Sequence, residues 1–109
     1  MAQIQDFSAL DLRTGVIVSA RTFPEARKPA YILEVDFGPE IGTLKTSAQI
    51  TDLYSTQQLL GEQVVGIVNI PSRQIGPIQS QFLVLGALSG NGVVLLDTKS
   101  PCEPGTKIA

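Results

Sequence analysis

Histidine and tryptophan are missing from this chain, methionine occurs only at its start, and cysteine occurs once, as Cys102. Without histidine there is neither the commonest general base nor the commonest metal ligand, so Ser-His and Cys-His catalysis are excluded. A single thiol closes no intramolecular disulfide and builds no thiolate metal cluster. The acidic residues stand singly along the chain, and no glycine-rich phosphate loop precedes a helix. Lys45 and Ser47 would stand about 7 Å apart on one face of a strand, an ordinary spacing that makes no dyad. These absences predict a non-enzymatic protein with no catalytic residue, cofactor or metal. The start, MAQIQDFSAL, has no basic stretch followed by an apolar core, and no later apolar run approaches the length of a membrane span. The expectation is a cytoplasmic protein with no membrane insertion, and a reducing compartment suits its lone thiol.

What is present is a strongly apolar short chain. Its 109 residues suffice for one domain, spanning 1–109, and one modest core. Hydrophobic residues make up 43% and charged residues only 17%, which predicts apolar surface that meets a partner. The net charge of −2 is unevenly spread: Arg13, Arg21, Arg27 and Lys28 outnumber Glu25 between positions 13 and 28, giving +3 there and −5 elsewhere. A local basic face is compatible with an acidic whole.

Ile4, Phe7 and Leu10 recur at helical spacing, predicting a short helix. Leu12–Ala20 is β-branched and reads as a first strand, with Gly15 a bulge or a site of close backbone approach. In Tyr31–Phe37, Tyr31, Leu33, Val35 and Phe37 alternate with Ile32, Glu34 and Asp36, a half-buried strand. Thr43–Ile50 is a third strand, with Leu44, Thr46, Ala48 and Ile50 on one side. Thr51 or Ser55 caps a short helix leading to Leu59 and Leu60. Val64–Ile70 and Ser80–Leu88 read as the fourth and fifth strands, and Asn91-Gly92 as a turn into Val93–Asp97. The later strands are apolar on both faces, so their outer side chains need a terminal arm, a helix or another subunit above them. Short strands with one helix after the third predict an all-β fold, a five-stranded OB-fold barrel. Its binding surface would comprise strands two and three with the loops Arg21–Ala30 and Pro71–Gln79.

Asn69–Gly86, NIPSRQIGPIQSQFLVLG, runs from a proline-stiffened polar loop into an apolar strand. Such a loop presents side chains, and with no nucleophile beside a base it points to binding. Arg73 has no opposite charge among Pro71, Ser72 and Gln74. Asn69 and Ser80 suit either a ligand or the backbone at a strand end. Phe82 suits either the core or a ligand. Arg13 pairs with Asp11 or Asp36 in a structural reading, and Tyr54 is a core or interface anchor.

In order along the chain stand Asp11-Leu12-Arg13-Thr14-Gly15, Pro24-Glu25-Ala26-Arg27, Glu34-Val35-Asp36-Phe37-Gly38, Ser47-Ala48-Gln49-Ile50-Thr51, Tyr54, Asn69, Arg73, and Ser80 followed by Leu83-Val84-Leu85-Gly86. Together these resemble the CsaA-type chaperones throughout the chain, and more widely the tRNA-binding domain at the C-terminus of many methionyl-tRNA synthetases. The resemblance implies an OB-fold homodimer in which the N- and C-terminal flanking segments help form the interface. It also implies capture of unfolded or export-bound polypeptide at apolar surface cavities. Asn69, Arg73, Ile75, Ile78 and Phe82 are the candidate peptide-binding residues, with Gln74, Gln79 and Gln81 as further amide partners. The wider family implies the alternative of structure-selective tRNA binding, through Arg21, Arg27, Lys28, Lys45, Asn69, Arg73 and Ser80. Where family members often carry further basic residues this chain has Gln74 and Gln79, and Phe82-Leu83 replaces a Gly-Met pair. With Arg21, Arg27, Lys28, Lys45 and Arg73 all engaged, a subunit neutralises about five phosphates.

Overall fold

The computed structural model describes Met1–Ala109. A short helix α1 (Ile4–Ser8) precedes β1 (Leu12–Thr22), β2 (Tyr31–Asp36) and β3 (Thr43–Ala48). Then follow α2 (Thr56–Leu59), β4 (Gln63–Ile67), β5 (Arg73–Ile75), β6 (Ile78–Ser80), β7 (Leu83–Val84), β8 (Gly86–Ser89) and β9 (Gly92–Leu95). Five strands form an antiparallel sheet in the order β3-β2-β1-β4-β7, curled into a nearly closed OB-type barrel. The pairs β5-β6 and β8-β9 are separate hairpins. No helix is long and apolar enough to cross a membrane.

The long β1 serves two neighbours: Leu12–Val16 pairs with β4, and Val16–Thr22 with β2. Its register slips between Ile17 and Ser19, a bulge that turns Val18 outward and bends the strand from one partner to the other. Gly15 is the close approach its position predicts, because an added Cβ would fall 2.5 Å from Val35 and 2.8 Å from Phe37. Inside the barrel lie Ile17, Leu33, Val35, Phe37, Ala48, Ile50, Leu59, Val64 and Phe82. The alternation expected of β2 and β3 therefore holds, with Leu33, Val35 and Phe37 on the inner face and Thr46 beside Ala48. Ser55 caps α2: its Oγ accepts from the Gln58 N–H, and the Gln58 Oε1 accepts from the Ser55 N–H.

The chain covers the outer face of β4 with itself. Val65 and Ile67 pack with Leu12, Leu85 and Ile108, so a terminal arm supplies the cover the sequence demanded. That arm runs beside β1, with Thr14 N–H donating to the Thr106 carbonyl and Ile108 N–H to the Leu12 carbonyl. Arg13 and Lys107 both reach Asp11, at 2.6 and 3.3 Å, which locks the arm electrostatically. The β8-β9 hairpin is tied down by Tyr54, whose hydroxyl accepts from the Leu95 N–H. Tyr54 is half-buried against the core, the anchor its type suggested.

Two expectations about the later strands are corrected. Ser80–Leu88 is not one strand: the chain bends at Phe82, which turns its ring into the core edge-on to Phe37, with centroids 4.9 Å apart. Pro71–Gln79 is not irregular throughout, because β5 and β6 form a tight hairpin across Gly76-Pro77. Gly76 has φ +54°, as a type II′ turn requires at its first central position.

Candidate functional site

The groove of the molecule is built between the loop that follows β1 and the β5-β6 hairpin. The loop closes on itself through Phe23 N–H to the Ala30 carbonyl and Ala26 N–H to the Phe23 carbonyl. Pro24 and Pro29 flank its charged tip and restrict its backbone. Beneath it Phe23, Ala30 and Ile32 bury against Ile78 of the hairpin, with Ala26 and Ile75 alongside. This small cluster holds the two walls together. Sequence reasoning missed it, since Phe23 and Ile78 are far apart in the chain and neither belongs to a periodic run.

The resulting groove has a volume of about 930 Å³. That is near the upper end of the usual range for ligand clefts. Glu25, Arg27, Lys28, Ala26 and Ala30 line one side, and Arg73, Gln74, Ile75, Gly76 and Ser80 the other. Thr46, Ser47 and Gln49 of the β3 end form part of its base, with Ile70, Pro71, Phe82 and Leu83 closing the remaining side. Arg27, Lys28 and Arg73 are exposed and have no carboxylate within ion-pair distance, while Glu25 is the groove's one acid. On a chain of net charge −2 this is a concentrated positive site.

Not every candidate residue reaches it. Arg21 lies in β1 outside the groove lining, 3.3 Å from Glu34, and Lys45 also lies outside the lining. Asn69 is committed elsewhere: its Nδ2 donates to the Ala9 carbonyl at 2.9 Å and its Oδ1 accepts from the Asp11 N–H at 2.8 Å. It clamps the segment after α1 to the barrel. Ser80 lines the groove with its Oγ 3.0 Å from Thr46 Oγ1. Phe82 is 2% exposed and Ile78 8%, so both act as core behind the wall and neither offers a free face to a peptide. Ile75 is half-buried and lines the wall.

The glutamines expected to meet a ligand are also engaged. Gln81 closes the barrel seam, accepting from the Lys45 N–H through Oε1 at 2.9 Å and donating its own N–H to the Lys45 carbonyl at 2.7 Å. Gln79 donates to the Gln74 carboxamide, and Gln74 donates to the Gly76 carbonyl at 2.6 Å, zipping the hairpin. Gln49, outside every candidate set, is the exposed glutamine of the groove with no such partner. Asp11 and Arg13, away from the groove, have displaced pKa values. The hydrogen bond from Arg13 lowers the Asp11 carboxyl, and the same bond raises the guanidinium.

Comparison with known proteins places this geometry in a family. The family model described as "Putative tRNA binding domain" matches residues 12–107. The methionine–tRNA ligase of Pyrococcus horikoshii is 33% identical over 106 residues, 97% of this chain. The chain spans only 14% of that relative's length. Among solved structures, the CsaA chaperone protein of Picrophilus torridus superposes with a TM-score of 0.96 at 45% identity, covering 100% of both chains. The chaperone CsaA of Bacillus anthracis str. Ames gives 0.93 at 44% identity, over 100% of this chain and 99% of its own. The chain therefore belongs to the tRNA-binding domain family and is of the CsaA type within it.

Proposed function

We propose that the protein is a non-catalytic, CsaA-like cytoplasmic chaperone that holds unfolded or export-bound polypeptide in this groove and acts as a homodimer. The observation that carries the reading is the composition of the groove wall. Ile70, Ile75 and the exposed Leu83 offer apolar surface beside three unpaired cations, and no aromatic ring is accessible. Phe82 is the one aromatic lining residue, and its ring is spent on the core. Single-stranded nucleic acid draws about 1–3 kcal/mol per base from stacking on such rings. Polypeptide needs none. The end-to-end likeness to chaperones of the same length supports the same reading. Chemically denatured client protein diluted into buffer should stay soluble in the presence of a molar excess of this protein. Unchanged aggregation would overturn the reading.

A second reading, tRNA binding, is favoured by Arg27, Lys28 and Arg73 converging without carboxylate partners. Three cations correspond to about three released counterions, a shallow salt dependence and weak binding at physiological salt. Fluorescent total tRNA titrated at low salt and at about 0.15 M separates the two readings. Binding that survives the higher salt would put RNA first; binding that vanishes leaves the chaperone reading in front.

A further inference from the structure

β3 is an end strand of the five-stranded sheet. In an antiparallel ladder alternate residues turn their peptide groups away from the partner strand. On β3 those are Lys45 and Ser47, as the outward bonds of Lys45 to Gln81 show, with Gln49 next in the alternation just past the strand end. Gln81 satisfies Lys45 completely, but the seam ends there, because the chain bends at Phe82. The Ser47 N–H is left with the Ser80 hydroxyl at 3.5 Å, the limit of a hydrogen bond, and the Gln49 N–H and carbonyl have no protein partner. Ser47 and Gln49 both line the groove. An unpaired strand end inside a ligand groove is a template for an added strand.

We propose that the groove takes an extended acidic polypeptide segment, which adds to the open end of β3 at Ser47–Gln49 and meets Arg27, Lys28 and Arg73 with its carboxylates. This rests on the polypeptide reading of the groove and specifies its substrate class. Charge complementarity selects the occupant: three free cations face one acid, Glu25, so a basic segment is repelled and a neutral one forfeits the ion pairs. The strand end selects polypeptide over RNA, since its N–H and carbonyl groups alternate as those of a peptide do. Alternate side chains of the added strand share one face, so acidic residues at every second position suit the site.

The test uses labelled peptides of about ten residues, about 33 Å when extended. One has apolar residues alternating with Glu, a second with Gln, a third with Lys, and a fourth repeats the Glu peptide with alternate backbone amides N-methylated. The Glu peptide should bind about tenfold tighter than the Gln peptide, the equivalent of about 1.4 kcal/mol, and the Lys peptide weakest. N-methylation on the β3-facing side should cost a similar factor, and the double variant Arg27→Glu, Lys28→Glu should transfer preference to the Lys peptide. Equal affinity for the Glu and Gln peptides, or indifference to N-methylation whether the odd-numbered or the even-numbered amides of the Glu peptide carry it, overturns the proposal while leaving the chaperone reading intact if denatured client is still held. Failure of every peptide and of denatured client together, with an oligoribonucleotide bound at the same salt, overturns the polypeptide reading itself.

Discussion

Asp11 ties distant parts of the fold together. It accepts from Arg13 Nε at 2.6 Å and pairs with Lys107 at 3.3 Å, and its N–H is held by Asn69, so three segments distant in sequence meet at one residue. Its carboxyl is held below the ordinary range chiefly by the hydrogen bond from Arg13. A carboxylate with a depressed folded-state pKa contributes stability that is present above its unfolded value, about 3.9, and is lost as pH falls through its lower folded value. Asp11→Asn should therefore lower the thermal midpoint at neutral pH and flatten its decline below about pH 4. A variant whose melting curve keeps the wild-type acid slope would show that Asp11 is not the titrating group. The same neighbourhood explains which site residues were legible. Arg73 announces itself because Pro71, Ser72 and Gln74 offer it no opposite charge, whereas Arg27 and Lys28 have Glu25 two and three residues away and only the structure shows them unpaired. Asn69 does not announce itself, because its partners Ala9 and Asp11 lie 60 and 58 residues away and both are backbone groups that sequence does not advertise.

Among the elements, the β5-β6 hairpin matters most to the groove and was the least visible. Three-residue strands separated by Gly76-Pro77 are too short for alternation to register, and two prolines read as irregular loop. The bend at Phe82 was hidden for the opposite reason, since an unbroken apolar run from Phe82 to Leu85 looks like one strand. By contrast β2 and β3 were legible, since the barrel-facing residues of each recur at period two, and only Ile32, buried on the other face of β2 against Phe23 and Ile78, departs from a one-sided pattern. The hairpin depends on Gly76, whose positive φ costs a residue with a side chain about 1–2 kcal/mol. Gly76→Ala should therefore speed amide hydrogen exchange across Arg73–Ser80 and weaken ligand binding, with little change in exchange of the β1, β2 and β4 core. Uniform loss of protection through the barrel would mean that the hairpin is coupled to global stability and is not a locally held wall.

At the scale of the molecule, the apolar composition is not used up by one barrel. The arm ending in Ile108 covers β4, yet Ile4, Phe7 and Leu10 of the N-terminal segment stand exposed, as do Leu88, Val94 and Leu96 around the last hairpin. Leu88 is 89% exposed on a two-stranded sheet that no third strand joins. Fully burying a side chain of this size is worth about 1.5–3 kcal/mol, so a few of them covered together outweigh much of the entropy of association. Because the C-terminal arm is committed to its own barrel, an interface between copies would draw on the N-terminal helix and the β8-β9 hairpin. The protein should therefore sediment as a dimer at micromolar concentration. The double variant Leu88→Asp, Val94→Asp should sediment as a monomer with an unchanged far-UV spectrum, because neither side chain belongs to the core inside the barrel. A wild-type monomer would refute the dimer. A dimer that survives the double variant would move the interface from the hairpin to the N-terminal helix, where Phe7→Asp is the corresponding change. Dimerisation would also set how a client is held, since two grooves on one particle bind two segments of the same chain at high effective concentration.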